Sequence, residues 1–139
     1  MRRMINAAFA YAAAAMAGGV FYREYTKLTD FTGQTSLSVV HTHLFLLGML
    51  FLLVAALMER ALGLSRSRKF KAFWGVYNAG VIVTAATLFL RGLAQTSAAA
   101  LSAGMNGALS GIAGLGHMMT GVGLVLFFLI LRERAAKDA

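Results

Sequence analysis

Histidine is the residue type in this chain that points most directly to chemistry. The 139 residues include three histidines, and each lies in or beside a long apolar stretch: His41, His43 and His117. A neutral imidazole can ligate haem iron, copper or zinc, and it exchanges protons near neutral pH. Because polar side chains are costly inside a membrane, histidines in such positions are predicted to be functional.

The elements that hold these histidines are predicted to be membrane-spanning helices. Hydrophobic residues make up 59% of the chain and charged residues 13%, which leaves too little polar surface for a soluble domain of this length. We predict an all-α integral membrane four-helix bundle, forming a single domain over residues 1–139. Its spans are the four continuous apolar segments that approach or exceed the ~20 residues needed to cross a bilayer: Met4–Tyr22, Val39–Leu62, Phe70–Leu90 and Leu109–Leu131.

The basic residues predict the orientation of the bundle. Ten of the 13 lysines and arginines lie on the side that carries both termini and the turn between the second and third spans. Cytoplasmic loops collect such residues, so both termini are predicted to be cytoplasmic, with the loops Arg23–Ser38 and Gly92–Ala108 outside. The net charge of +8 then indicates attraction to anionic membrane lipids and gives no reason to invoke nucleic acid.

All three histidines are predicted to lie in the outer half of the membrane. His41 and His43 lie ~3–6 Å inside the outer edge of the second span, and His117 lies ~12 Å inside the outer edge of the fourth. Positions 41 and 43 are about 200° apart around a helix, so they point in different directions. We favour His41 as the inward one, because its face is small in the middle, at Gly48.

The fourth span is unusually rich in glycine around His117. A stripe with the spacing of one helix face contains Gly107, Gly111, Gly114, Met118 and Gly121. Such a stripe permits close approach of a second helix, and it favours helix packing or a homodimer. The missing side chains would equally leave a slot for a flat macrocycle beside His117.

Histidines on facing helices around an apolar slot favour a haem b site. We expect His117 and one of His41 and His43 to ligate the iron, with Gly48, Gly114 and Gly121 beside the macrocycle. Arg91, at the outer end of the third span, would pair with the propionates. Two protein ligands would indicate electron transfer with a redox partner, whereas a single ligand would leave the iron open for gas or haem sensing.

Two other functions compete with haem binding. A copper site would use the histidines with methionines, namely Met49, Met105, Met118 and Met119. A haem-free small transporter or membrane scaffold would use the histidines for proton relay or hydrogen bonds. The chain has no cysteine, which excludes thiolate ligands and covalent haem attachment through a C-x-x-C-H motif. These observations leave open whether the protein is an enzyme.

Four strings of the sequence resemble a family of small four-span bacterial membrane proteins of unknown function: Gly19–Lys27, Thr32–Thr35, His41–Met49 and Ser110–His117. The resemblance covers nearly the whole chain and implies a multi-pass protein of the bacterial inner membrane. A looser likeness, to subunit I of the haem–copper oxidases, rests on His117 and on His41 or His43. It implies a b-type haem without oxygen reduction, because the histidines that would hold a copper are missing.

Overall fold

A computed structural model describes residues 1–97 and 101–138, and in this part of the chain four long helices account for nearly all of the structure. They are α1 (Arg2–Leu28), α2 (Leu37–Leu62), α3 (Phe70–Thr96) and α4 (Ala103–Asp138). All four are long and apolar enough to cross a membrane, and no strand occurs among the described residues. The predicted all-α membrane four-helix fold is confirmed.

Helix α2 is not a regular α-helix throughout. Its first part, Leu37–His43, and its last part, Phe51–Leu62, are α-helical, but Leu44–Leu50 between them is a π-helix. A π-helix has i→i+5 hydrogen bonds and holds an extra residue in the turn, so it rotates one part of the helix relative to the other. The first part of α2, which ends at His43, is rotated in this way relative to the last part.

The closest helix pair is α3 with α4, and glycines make that approach possible. An added Cβ at Gly123 would lie 2.7 Å from Cβ of Tyr77, and one at Gly116 would lie 2.8 Å from Oγ1 of Thr84. A Cβ at Gly80 would overlap the backbone of Thr120. These three glycines therefore let the two backbones meet without intervening side chains.

One half of the bundle has an aromatic core that joins three helices. Phe51 of α2 lies against Tyr77 of α3, with ring centroids 4.3 Å apart, and against Phe127 of α4, at 4.9 Å. Phe73 adds a further contact with Phe127 at 5.4 Å. Phe73, Tyr77 and Phe127 are buried, so this cluster fixes α2, α3 and α4 relative to one another.

The turn between α2 and α3 closes the same half of the bundle. Gly63 ends α2 in the left-handed conformation, with φ of 61°, which glycine adopts without steric cost. The buried Arg134 of α4 donates from Nε to the carbonyl oxygen of Leu62 at 2.9 Å, and Lys69 pairs with Glu133 at 2.7 Å. We call this the turn end, and the opposite end of the bundle the histidine end.

At the histidine end the helices extend beyond the predicted spans. Helix α3 continues to Thr96 and α4 begins at Ala103, so most of the loop predicted over Gly92–Ala108 is helical. Residues 98–100 of that loop lie outside the described part of the chain. Alanine is the strongest helix former but has only modest hydropathy. Spans predicted from hydropathy therefore end earlier than the helices themselves.

Candidate functional site

The structure brings His43 and His117 together. His43 is the last residue of the first α-helical part of α2, and His117 lies near the middle of α4. Their ring centroids are 6.5 Å apart, and the ring planes are nearly perpendicular, at 84°. His43 is half-buried and His117 is exposed on the membrane-facing surface. We call these two residues the histidine pair.

Both rings of the histidine pair are held in the same way by their own helices. Nδ1 of His43 lies 2.8 Å from the carbonyl oxygen of Val39, and Nδ1 of His117 lies 2.8 Å from that of Ala113. A carbonyl oxygen only accepts hydrogen bonds, so each Nδ1 of a neutral ring carries the hydrogen. The Nε2 atom of each ring then has a free lone pair, which is the form that ligates a metal.

His41 faces a different helix. Its ring carbon Cγ lies 3.7 Å from where a Cβ of Gly19 would be, so the side chain packs on α1. Its Nδ1 is buried and has no hydrogen-bond partner among the described residues. His41 points into the bundle as expected, but away from His117.

The space around the histidine pair is apolar and has a small-residue wall. A cavity of about 260 Å³ beside His43 is lined by α2 alone, through Val39, Thr42, Leu46 and Leu47. On α4, Gly114 and Gly121 lie on the face of His117, and an added Cβ at either would meet no atom within 4 Å. The backbones of α2 and α4 approach closely through Phe51–Leu62, so the two helices diverge toward the histidine end.

Arg91 is anchored on the same face of α4 as His117. Its Nη2 donates to Oγ of Ser110 at 2.7 Å. Ser110 precedes His117 by seven residues, which puts both on one helix face ~10 Å apart. Arg91 therefore places a cation on that face, toward the histidine end of the bundle.

Other predicted site residues serve packing. Gly48 lies directly under the ring of Tyr11, so it makes room for α1 and does not border the histidine pair. The stripe of small residues predicted on α4 is exposed, and Cβ atoms added at Gly107 and Gly111 would meet nothing within 4 Å. The glycines that α4 uses for packing inside the bundle are Gly116 and Gly123. The expected homodimer stays a prediction.

Sequence reasoning missed two residues that position the site. The buried Tyr77 donates from its hydroxyl to the carbonyl oxygen of Leu47 at 2.8 Å, within the π-helix that follows His43. Ser110 holds Arg91 on the face of His117. The seven-residue spacing from Ser110 to His117 was a usable signal, whereas nothing in the sequence pattern marks the π-helix.

The described residues contain no group of three or more histidine, cysteine, aspartate or glutamate side chains that could hold a metal ion. Any metal here would have two histidine ligands, supplemented by a cofactor or by methionine. Met118 is exposed next to His117, whereas Met49 and Met119 are half-buried. The donor set is therefore two imidazole nitrogens in an apolar setting.

These features define a multi-pass membrane protein with four helices and a pair of histidines on two of them. A family model described as "Protein of unknown function (DUF2871)" matches residues 1–134, and the chain belongs to that family. This agrees with the resemblance to a four-span family of unknown function. No curated protein and no solved structure matches the chain, and the likeness to haem–copper oxidase subunit I gains no support from these comparisons.

Proposed function

We propose that the protein binds one haem b through His43 and His117 and carries electrons within the membrane. The observation that supports this most is the geometry of the histidine pair, 6.5 Å between centroids with both Nδ1 atoms bonded to carbonyl oxygens. The two Nε2 atoms are thereby left as ligand atoms. His41 has no part in this site.

The separation of the rings would allow both imidazoles to ligate one metal ion. An imidazole nitrogen binds a metal at ~2.0 Å and its ring centroid lies ~1.2 Å further back, so two opposed ligands have centroids about 6.4 Å apart. Two ligands of a tetrahedral ion would have centroids only about 5 Å apart. The observed 6.5 Å between the ring centroids is within the span that two imidazoles on one metal ion would need, so His43 and His117 would hold an iron that supplies electron transfer.

The surroundings of the pair suit a flat, mostly apolar molecule with an anionic edge. Gly114 and Gly121 leave open space on the face of His117, and the cavity beside His43 is lined mainly by apolar side chains of α2. Arg91, held by Ser110, would neutralise the propionates at the histidine end. A haem with two protein ligands offers no open position to a gas or substrate, so electron transfer is the chemistry that it supplies.

The experiment is an absorption spectrum of the detergent-purified protein, oxidised and then reduced with dithionite, after expression with added haem. We expect a strong Soret band and sharp reduced α and β bands. His43→Ala and His117→Ala should each remove this six-coordinate spectrum, while His41→Ala, two residues away on α2, should retain it. A colourless wild-type protein, or full pigment in either of the first two variants, would overturn the proposal.

Copper is the second candidate, because Met118 is exposed beside His117 and a thioether with two imidazoles is a soft donor set suited to Cu(I). If the site binds copper, the protein should stay colourless after expression with added haem. Copper should also be retained after dialysis in the wild type and lost in His117→Ala. Retention of copper in both proteins would exclude this alternative.

We also propose that the protein lies in the bacterial cytoplasmic membrane with its turn end toward the cytoplasm, as the basic residues favour. The chain has no cysteine, so single cysteines report topology without background. Thr32→Cys, in the exposed α1–α2 loop, should react with an impermeant maleimide in intact cells. Ser65→Cys, in the exposed turn, should react only after lysis, and the reverse pattern would invert the proposed orientation.

A further inference from the structure

A second site lies against α2, apart from the histidine pair. A cavity of about 450 Å³ opens to the membrane between α1 and α3. Its walls are small or apolar over two helical turns, with Ala7, Ala10 and Ala14 on α1 and Ile82 and Ala85 on α3. We call this cavity the alanine groove.

The alanine groove contains one polar pair, Tyr11 and Asn78. The Tyr11 hydroxyl donates to Oδ1 of Asn78 at 2.9 Å, and Nδ2 of Asn78 donates to the carbonyl oxygen of Trp74 at 2.8 Å. A side-chain amide has two N–H hydrogens. The second hydrogen of Asn78 has no partner among the described residues, and the side chain is half-buried at the groove.

The depth of Asn78 decides which molecules could accept that hydrogen. Asn78 lies eight residues from the start of α3 at Phe70, or ~12 Å along the helix. Half of the hydrocarbon core is ~15 Å thick, so Asn78 is close to the middle of the membrane. Water is scarce there, and an unpaired amide hydrogen is costly.

We propose that the alanine groove binds a lipid-soluble quinone, one carbonyl of which accepts a hydrogen bond from Nδ2 of Asn78. The occupant must be apolar, slim enough for a trough walled by alanine, and must carry an uncharged acceptor at the middle of the bilayer. Phospholipid ester carbonyls lie in the interfacial region, too far from Asn78. A quinone head group meets each of these requirements, and its tail would run along the apolar wall.

The groove is close to the histidine pair but does not depend on it. Leu44, the residue after His43, lines the groove, so the two sites border neighbouring positions of the same turn of α2, about 100° apart around its axis. If both are occupied, the quinone would be a neighbour suited to the redox role proposed above. The binding itself requires no haem and is tested on haem-free protein.

The chain provides its own reporter for this site. Trp74 is the single tryptophan and lies one turn from Asn78 on α3. Because a quinone bound nearby quenches indole fluorescence, haem-free protein in phosphatidylcholine nanodiscs can be titrated with decylubiquinone. We expect saturable quenching in the wild type, on top of the linear quenching caused by quinone dissolved in the lipid.

Two variants and one control make the test specific. Asn78→Leu should raise the half-saturating quinone concentration about tenfold, since one hydrogen bond to the ligand is lost. Ala14→Leu, which fills the trough from an exposed position, should abolish saturation. Asn106→Leu, the same substitution at an exposed position on α4 outside the groove, should bind quinone as the wild type does.

The proposal is overturned if the wild type shows only linear quenching, or if Asn78→Leu titrates like the wild type. It is equally overturned if Asn106→Leu loses as much affinity as Asn78→Leu, because the loss would then not depend on the groove. None of these outcomes bears on the haem spectrum, so the two proposals fail separately.

Discussion

The two ends of the bundle use the same helices in different ways. At the turn end, Phe51 and Phe127 bring α2 and α4 into contact, with ring centroids 4.9 Å apart. Toward the histidine end the two helices diverge, and the rings of His43 and His117 lie 6.5 Å apart across the gap. The packed half therefore acts as a support that holds two histidines over an open space.

The histidine pair also differs from the polar groups of the turn end in its hydrogen-bond partners. At the turn end, Arg134, Lys69 and Glu133 form interhelical bonds that link α4 to the turn. In the part of the chain that the structure describes, each imidazole of the histidine pair bonds to its own helix and to nothing else, which leaves Nε2 of each ring unused. The histidine end also has interhelical bonds, from Arg91 to Ser110 and from Thr35 to Gly92, so it is the two imidazoles in particular that are available to a ligand.

The largest expected effect is on packing at the turn end. Phe127 is 4% exposed and its neighbour Phe128 is 62% exposed. We expect Phe127→Ala to lower the free energy of unfolding by about 3 kcal/mol, because it leaves a cavity between three helices. Phe128→Ala, which removes the same atoms from a lipid-facing position, should cost well under half of that. Denaturant titration in mixed micelles measures both, and equal losses would contradict a packed core there.

Two glycines of α4 give the next comparison. Gly123→Ala forces a methyl group against Tyr77 and should cost about 1–3 kcal/mol of stability. Gly121→Ala meets open space and should be neutral or stabilising by up to about 1 kcal/mol, since alanine favours helix. Unfolding curves of the two variants test this pair. A destabilised Gly121→Ala protein would show that this face is covered in the membrane, as a homodimer requires.

Tyr77 links the packed half to the histidine pair. We expect Tyr77→Phe to cost about 1 kcal/mol, the net contribution of its bond to Leu47, and to broaden or shift the reduced α band as His43 loses its support. Tyr11→Phe, which removes a hydroxyl that bonds Asn78 instead, should leave the α band unchanged. Identical spectra for both variants would show that Tyr77 does not position His43.

The smallest effect is expected at the edge of the site. Arg91→Leu should accelerate haem loss to apomyoglobin about threefold to tenfold without changing the spectrum, since it removes an anchor for propionates but no ligand. Arg23→Leu, an exposed arginine of the same end on α1, is the matched control. Unchanged haem release in Arg91→Leu would show that Arg91 does not hold the propionates and interacts with lipid headgroups instead.

The sequence predicted the fold class well because helix length and hydropathy are set locally. It could not choose between His41 and His43, since their directions depend on how α2 rotates along its π-helix. It also singled out the exposed glycine stripe, while Gly116 and Gly123 of the same helix make the contacts with α3. Spacing identifies a small face, but only the neighbouring helix decides which small face is used.

The π-helix of α2 also bears on how the site could have arisen. Because each π turn holds one residue more than an α turn, deleting one residue from Leu44–Leu50 would restore a regular helix of almost the same length. The packed half would keep its contacts, while His43 would turn by about 100° about the helix axis, away from His117. One codon gained or lost in this segment would therefore change the histidine pair together with the contacts that Leu37 and Val40 make in the first part of α2, while the turn end stays as it is.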